Sequence, residues 1–157
     1  MMRDIIVFES PYGGRERSTR EARMKSEAIN PPSVFRSLEH GFSQAVVTSG
    51  RRTLYVSGQT AWDPQKQIVG GADLEAQARQ AFTNLQAVVE AAGGTLADVV
   101  SLRIYIVDYR REKAAPVGRA FRHFFSGEVK PAATWVGVAA LADPGFLIEV
   151  EATAVFD

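Results

Sequence analysis

From Phe146 to the end, the chain alternates: Phe146, Ile148, Val150, Ala152, Ala154 and Phe156 fall on one side, Leu147, Glu149, Glu151, Thr153 and Val155 on the other. That is the period-two pattern of a β-strand with one face made for a core. The opposite face carries two carboxylates two residues apart. A carboxylate is almost never fully buried without a partner, so this face must meet water, a cation or another chain. Whatever the fold, it needs a sheet with one apolar and one polar side.

The rest of the chain supplies the partners. Gln44 to Thr48 and Thr53 to Ser57 flank Ser49-Gly50-Arg51-Arg52 and read as a hairpin. Asp73 is a suitable N-cap for a run in which Leu74, Ala78, Ala81, Phe82, Leu85, Val88, Val89 and Ala92 recur at helical spacing, closed by Gly93-Gly94. Val99 to Asp108 alternates again, with Leu102, Ile104 and Ile106 against Ser101, Arg103 and Tyr105. Pro116 opens a second amphipathic helix with Val117, Ala120, Phe121, Phe124 and Phe125 on its stripe and His123 at the edge. Ala133 to Ala140 and the final strand are joined by Ala142-Asp143-Pro144-Gly145, a turn signal. The order is ββαβαββ, an α+β domain with two helices covering one sheet face. The other face is expected to hold Tyr55, Ser57, Gln59, Arg103, Tyr105, Trp135, Glu149 and Glu151, with Arg103 pairing with Glu149 or Glu151. A face this mixed is best covered by copies of the same chain, with polar clefts between subunits.

Residues 1–30 read differently, as a charged arm ahead of one domain spanning residues 31–157. Arg15, Arg17, Arg20, Arg23 and Lys25 interleave with Glu16, Glu21 and Glu27, and the acid content argues against a transit peptide. Met24 offers an alternative start. The 157 residues contain no Cys and only His40 and His123, so neither a thiolate nucleophile nor a zinc site is expected, and nothing calls for a cofactor. Lys plus Arg equals Asp plus Glu at 18 each, without the basic footprint of a nucleic-acid binder. No apolar run approaches the roughly 20 residues of a membrane span. A cytoplasmic protein with a small-molecule ligand is the expectation.

Taken together, Gly41-Phe42-Ser43-Gln44-Ala45, Leu54-Tyr55-Val56-Ser57-Gly58-Gln59, Ala76-Gln77-Ala78-Arg79-Gln80-Ala81-Phe82, Val88-Val89-Glu90-Ala91-Ala92-Gly93, Val138-Ala139-Ala140-Leu141 and Ile148-Glu149-Val150-Glu151-Ala152 resemble the RidA/YjgF family. The resemblance runs from Phe35 to Phe156. It implies a chorismate-mutase-like fold, a homotrimer of barrel-like form with a pocket at each subunit interface, and hydrolysis of reactive enamines and imines to keto acids and ammonia. Relatives have also been described as ribonucleases, a role that the neutral charge disfavours here. In the best-known members an arginine clamps the substrate carboxylate; the matching segment is Pro131-Ala132-Ala133-Thr134, with Ala133 at that place. Phe42 stands at a pocket tyrosine, and an asparagine of the second helix falls near Gly118. Ser57 matches the pocket serine and Glu149 the glutamate that positions water. The resemblance thus marks Phe42, Ser57, Gly58, Ala133, Thr134 and Trp135 as ligand-binding and Glu149 as catalytic. Plainer roles stand beside these: a turn hydroxyl for Ser57, an ion pair for Glu149, interface packing for Trp135. The reading is a trimer that binds a small metabolite and hydrolyses an imine, enamine or amide without a carboxylate clamp, the alternative being a ligand-binding or scaffolding trimer without turnover.

Overall fold

The computed structural model describes residues 25–29, 38, 45–49 and 52–157. Its elements are β1 (Lys25–Ile29), β2 (Ala45–Ser49), β3 (Arg52–Gln59), α1 (Leu74–Ala91), β4 (Val99–Val107), α2 (Ala114–Phe124), β5 (Ala132–Val138) and β6 (Ile148–Phe156). The expected ββαβαββ order is present, with β1 ahead of it. β1 occupies the end of the stretch read as an arm and pairs antiparallel with β2, Lys25 opposite Ser49 and Ile29 opposite Ala45. Residues 1–24 and Phe42 lie outside the described residues.

Four strands form the main sheet in the order β3-β6-β4-β5. β6 is central, antiparallel to β3 on one side and to β4 on the other. β5 runs parallel to β4 at the edge, a pairing that requires a crossover, and α2 is that crossover. One expected pairing is therefore corrected: among the described residues β2 pairs with β1 rather than in a hairpin with β3. A Gly turn signal says that the chain reverses, not that the flanking strands hydrogen-bond. β5 and β6, joined through the Pro-Gly turn, are consecutive without being neighbours.

Asp73 caps α1 as expected, its Oδ1 accepting from the backbone N–H groups of Glu75 and Ala76 at 2.9 and 3.2 Å. The helix lays Ala78, Ala81, Phe82, Leu85 and Val89 on the sheet, against Ile104, Ile106, Ile148, Val150, Ala152 and Ala154, all buried. Phe82 is the junction of the helical layer: its ring lies 6.1, 5.6 and 5.9 Å from those of Phe121, Phe124 and Phe125. Glu75 ties the helices at their other edge, meeting Arg79 at 2.9 Å and Arg119 of α2 at 2.7 Å. Hydrogen bonds from these two guanidinium groups, Arg119 first, hold its carboxyl below the ordinary glutamate range.

One polar side chain sits wholly inside this layer. Gln77 is fully buried, and a buried amide is tolerable only when its donors and acceptor are matched. Its Nε2 donates to the carbonyls of Gly71 at 2.6 Å and Gly145 at 2.8 Å, while its Oε1 accepts from the Leu147 N–H at 2.9 Å. One turn or more along α1, Asn84 donates to the carbonyls of Thr60 at 2.9 Å and Trp62 at 2.7 Å, and Trp62 packs edge-on to Phe146. Two long connections, one leaving β3 and one entering β6, are thereby sewn to the same helix.

Candidate active site

Those two connections bracket the residues of interest. Within β3, Val56 pairs with Ala152 and Gln59 with Val150, so Ser57 and Gly58 together oppose Glu151. This is a β-bulge, which leaves backbone groups unpaired and bends the strand end. Ser57 and Gly58 are exposed, and Gln59 Nε2 turns back to donate to the Ser57 carbonyl at 3.0 Å.

Glu149, two residues earlier than Glu151 on β6, lies across this bulge. A Cβ placed on Gly58 would fall on the Glu149 carboxylate, so the carboxylate rests against the glycine backbone in space that any other residue would occupy. Gly58 is needed here for what it lacks. The two carboxylates of the polar face divide their roles by register. Arg103 stands opposite Glu151 and donates to it at 2.7 Å; Tyr105 stands opposite Glu149. Among the described residues, Glu149 has no cation or hydrogen-bond donor within reach. Glu151 is the ion-pair partner that the sequence allowed either glutamate to be, and Glu149 is the half-buried carboxylate left available.

The same cluster sets the neighbouring titrations. Arg103 is held more basic than usual by its hydrogen bond to Glu151. The Tyr105 phenol is pushed up by desolvation and then by the Glu151 charge, so it stays protonated and able to donate. Beside them Tyr55, Ser101, Arg103, Glu151 and Thr153 line an open cleft of about 380 Å³. Tyr55 stands 80% exposed there.

β5 is where sequence and structure diverge. Leu102 pairs with Ala133, Arg103 with Thr134 and Ile104 with Trp135. Ala133 and Trp135 therefore share the helix-side face and pack half-buried against the core, while Thr134 is exposed on the polar face. The expectation that Trp135 joins Glu149 on the polar face is corrected. The phase of β5 was ambiguous because small and apolar residues occupy both of its faces, and only pairing with β4 decides it. On the same side as Trp135, Tyr109 lies across Gly137, where a Cβ would meet its Cβ at 3.0 Å. Gly118 is buried in α2 beneath the Arg122 guanidinium, whose Nη1 would be 3.1 Å from an added Cβ.

One chain thus brings Ser57, Gly58 and Glu149 together and sets Ala133 and Trp135 on the reverse of the sheet. Sequence reasoning missed Gln77 and Asn84, which fix the connections on either side of the site. Their signal was visible: two amides within an otherwise apolar helical stripe are out of place unless each has a backbone to hold. Among the described residues no three His, Cys, Asp or Glu side chains are grouped to hold a metal ion. No described helix is long and apolar enough to cross a membrane.

With this geometry in view, the likeness to known proteins has a physical basis. The profile of the family described as endoribonuclease L-PSP matches residues 36–156. The 2-iminobutanoate/2-iminopropanoate deaminase of Dermatophagoides farinae is 34% identical over 116 residues, 74% of this chain and 86% of that protein. A RutC-family protein of Pyrococcus horikoshii is 34% identical over 113 residues, 72% of this chain and 85% of its own length. Among solved structures, YyfB of Yersinia pestis, a Rid-family protein, superimposes with a TM-score of 0.81 at 42% identity, covering 83% of this chain and 98% of that one. RidA from an Antarctic Psychrobacter gives a TM-score of 0.61 at 36% identity, covering 74% and 89%. The profile over residues 36–156, a relative at 34% identity across most of its length and the superposition on a Rid-family structure at 42% identity place this chain in the RidA/YjgF family.

Proposed function

We propose that this protein hydrolyses a small imine or enamine, with Glu149 as the general base and Ser57-Gly58 as the platform on which the substrate lies. The observation that carries the reading is the Glu149 carboxylate resting on the Gly58 backbone, without a cation or donor partner among the described residues. A carboxylate held at a strand bulge, with its companion Glu151 engaged by Arg103, is free to take a proton. Glu149 accepts a proton from water as the water oxygen adds to the imine carbon. The C=N electron pair moves to nitrogen, which takes that proton back from Glu149 to give the carbinolamine. Glu149 then accepts the carbinolamine hydroxyl proton as the C=O bond forms and the C–N bond breaks, and passes it to the departing amine, which leaves as ammonia. Unpaired N–H groups of the bulge are suited to a polar substrate atom. The name of the Dermatophagoides relative, an imino-acid deaminase, supports this class of reaction.

The site is completed by a second copy in a homotrimer. Support comes from the exposed Tyr55 and the polar cleft on the sheet face that no described element covers, and from the position of β5 at the sheet edge. The edge of a neighbouring β5 at Ala133–Trp135 borders the Ser57-Gly58 platform, with Ala133 and Trp135 on one face of that strand and Thr134 on the other. Ala133 brings no charge, so the preferred substrate lacks an α-carboxylate. The test is ammonia release from a carboxylate-free imine, made in situ by amine oxidation, by wild-type protein and by Glu149→Gln. Loss of about 100-fold or more in the variant is expected; an unchanged rate overturns the assignment and leaves a ligand-binding trimer without turnover.

A further inference from the structure

The Glu149 carboxylate rests on Gly58 without a hydrogen bond of its own among the described residues, so the contact is set by where the ends of β6 and β3 stand. Both ends lie at the limit of their ladders. The β3-β6 pairing stops at Gln59 and Val150, one residue short of Glu149. On the β4 side, the rung between Val107 and Leu147 is only half made. Val107 N–H donates to the Leu147 carbonyl at 3.0 Å, but the reciprocal bond is replaced at both of its ends. Leu147 N–H donates to Gln77 Oε1 at 2.9 Å, and the Val107 carbonyl accepts from Lys113 Nζ at 2.7 Å. An antiparallel pair of this kind ordinarily exchanges both bonds. Two side chains, one from α1 and one from the residue before α2, thus stand in for half a rung two residues ahead of Glu149.

α1 holds the β3 side as well. Directly after β3 ends, Asn84 Nδ2 donates to the Thr60 and Trp62 carbonyls at 2.9 and 2.7 Å, while its Oδ1 accepts from Gln80 at 2.8 Å. Gln77 and Asn84 are seven residues apart, about two turns, so they leave one side of α1 roughly 10 Å from each other. The helix keeps that spacing, and with it the spacing of the two strand ends.

We propose that Gln77 and Asn84 are positioning residues for the reaction assigned to Glu149: by holding the Leu147 N–H and the Thr60 and Trp62 carbonyls, α1 keeps the Glu149 carboxylate on the Gly58 backbone. Gln77 is fully buried, so it acts only through the backbone that it holds. The consequence for rate rests on the hydrolytic reading, whereas the cause is geometric. Displacement of a catalytic group by an ångström costs up to about 100-fold in rate, even when the change that causes it is remote.

The experiment is a double-mutant cycle on the full chain, with Gln77→Leu and Asn84→Ala each made in the wild type and in Glu149→Gln. The first readout is the Gly58 backbone amide in NMR spectra, which needs no turnover. Replacing the carboxylate by an amide should move the Gly58 signal, and that difference should shrink by at least about half once Gln77 or Asn84 is changed. The second readout is ammonia release from the carboxylate-free imine. Gln77→Leu should lower kcat about tenfold or more and Asn84→Ala about threefold or more, with KM changed less than about twofold. Neither should lower the residual rate of Glu149→Gln further. Asn84 is only half-buried, so its variant decides the matter if Gln77→Leu folds poorly. If the two amides served stability alone, the variants would lower Tm and leave the Gly58 difference intact, which would overturn the proposal. A shrunken difference with undiminished kcat would also overturn it. Undiminished turnover by Glu149→Gln falls on the hydrolytic reading alone, because the Gly58 signals still decide whether α1 sets the contact.

Discussion

Gly58 and Glu149 show how much a missing atom can matter. Substituting Gly58 by alanine introduces a methyl group where the Glu149 carboxylate lies, and the side that yields is the flexible end of a glutamate. Stability should hardly change, with Tm within about 2 °C of wild type, because the clash falls on a flexible side chain at an exposed position, where substitutions usually cost within about 0.5 kcal/mol. Turnover should fall by at least about tenfold, since a base displaced by an ångström loses its water. A fall in Tm without loss of rate would show that Gly58 serves the fold and not the chemistry. Gln77 is the opposite case. Gln77→Leu takes the partner from the half-buried Gly145 carbonyl and Leu147 N–H and from the carbonyl of exposed Gly71, at about 1–3 kcal/mol for each group that water does not reach. Urea denaturation should register a loss of about 2 kcal/mol or more; a loss below about 1 kcal/mol would mean that water replaces the amide. At this scale the sequence named Ser57, Gly58 and Glu149 through their motifs. It could not choose between Glu149 and Glu151 for Arg103, because both lie on one face and only the β4-β6 register decides.

Between elements, α1 and α2 are joined by an aromatic cluster at one edge and an ion-pair cluster at the other. Phe82→Ala removes the ring on which Phe121, Phe124 and Phe125 converge and should cost about 3–5 kcal/mol by calorimetry or denaturant titration. Glu75 gives the clasp a pH dependence whose sign follows from its lowered pKa. A depressed folded-state pKa contributes stability above the unfolded value and loses it as the pH falls through the folded one. The wild type should therefore weaken relative to Glu75→Gln as pH drops below 4.5, the two converging in acid and differing most near neutrality. Parallel stability curves would remove the clasp from the account. Both helices were legible from their periodicity, from Asp73 and from Gly93-Gly94. Strand adjacency was not, since alternation reports a strand's faces and is silent about its neighbours. The phase of β5 was lost for a related reason: Ala132, Ala133, Val136 and Val138 are apolar on both sides, leaving only Thr134 as a polar marker.

As a whole, the described residues form a helical layer on a four-stranded sheet, with β1-β2 as a separate pair, and the other face of the larger sheet carries Tyr55, Arg103, Tyr105, Glu149 and Glu151. Self-association through that face is expected to give a trimer in sedimentation equilibrium, and a stable monomer at micromolar concentration would contradict the shared site. Tyr55→Asp should shift the distribution toward monomer and lower turnover with it. The central claim is chemical, and kinetics test it most directly. Initial rates of ammonia release above the spontaneous background should be compared for a carboxylate-free imine and a freshly generated 2-imino acid, using wild type, Glu149→Gln and an arginine-bearing relative. On the proposal that Ala133 takes the place of an arginine fork in the relative, the missing fork accounts for about 2–5 kcal/mol. The account predicts 2-imino acid turnover about one and a half to three and a half powers of ten below the relative, faster turnover of the carboxylate-free imine, and loss of both in Glu149→Gln. Undiminished turnover by Glu149→Gln would contradict it.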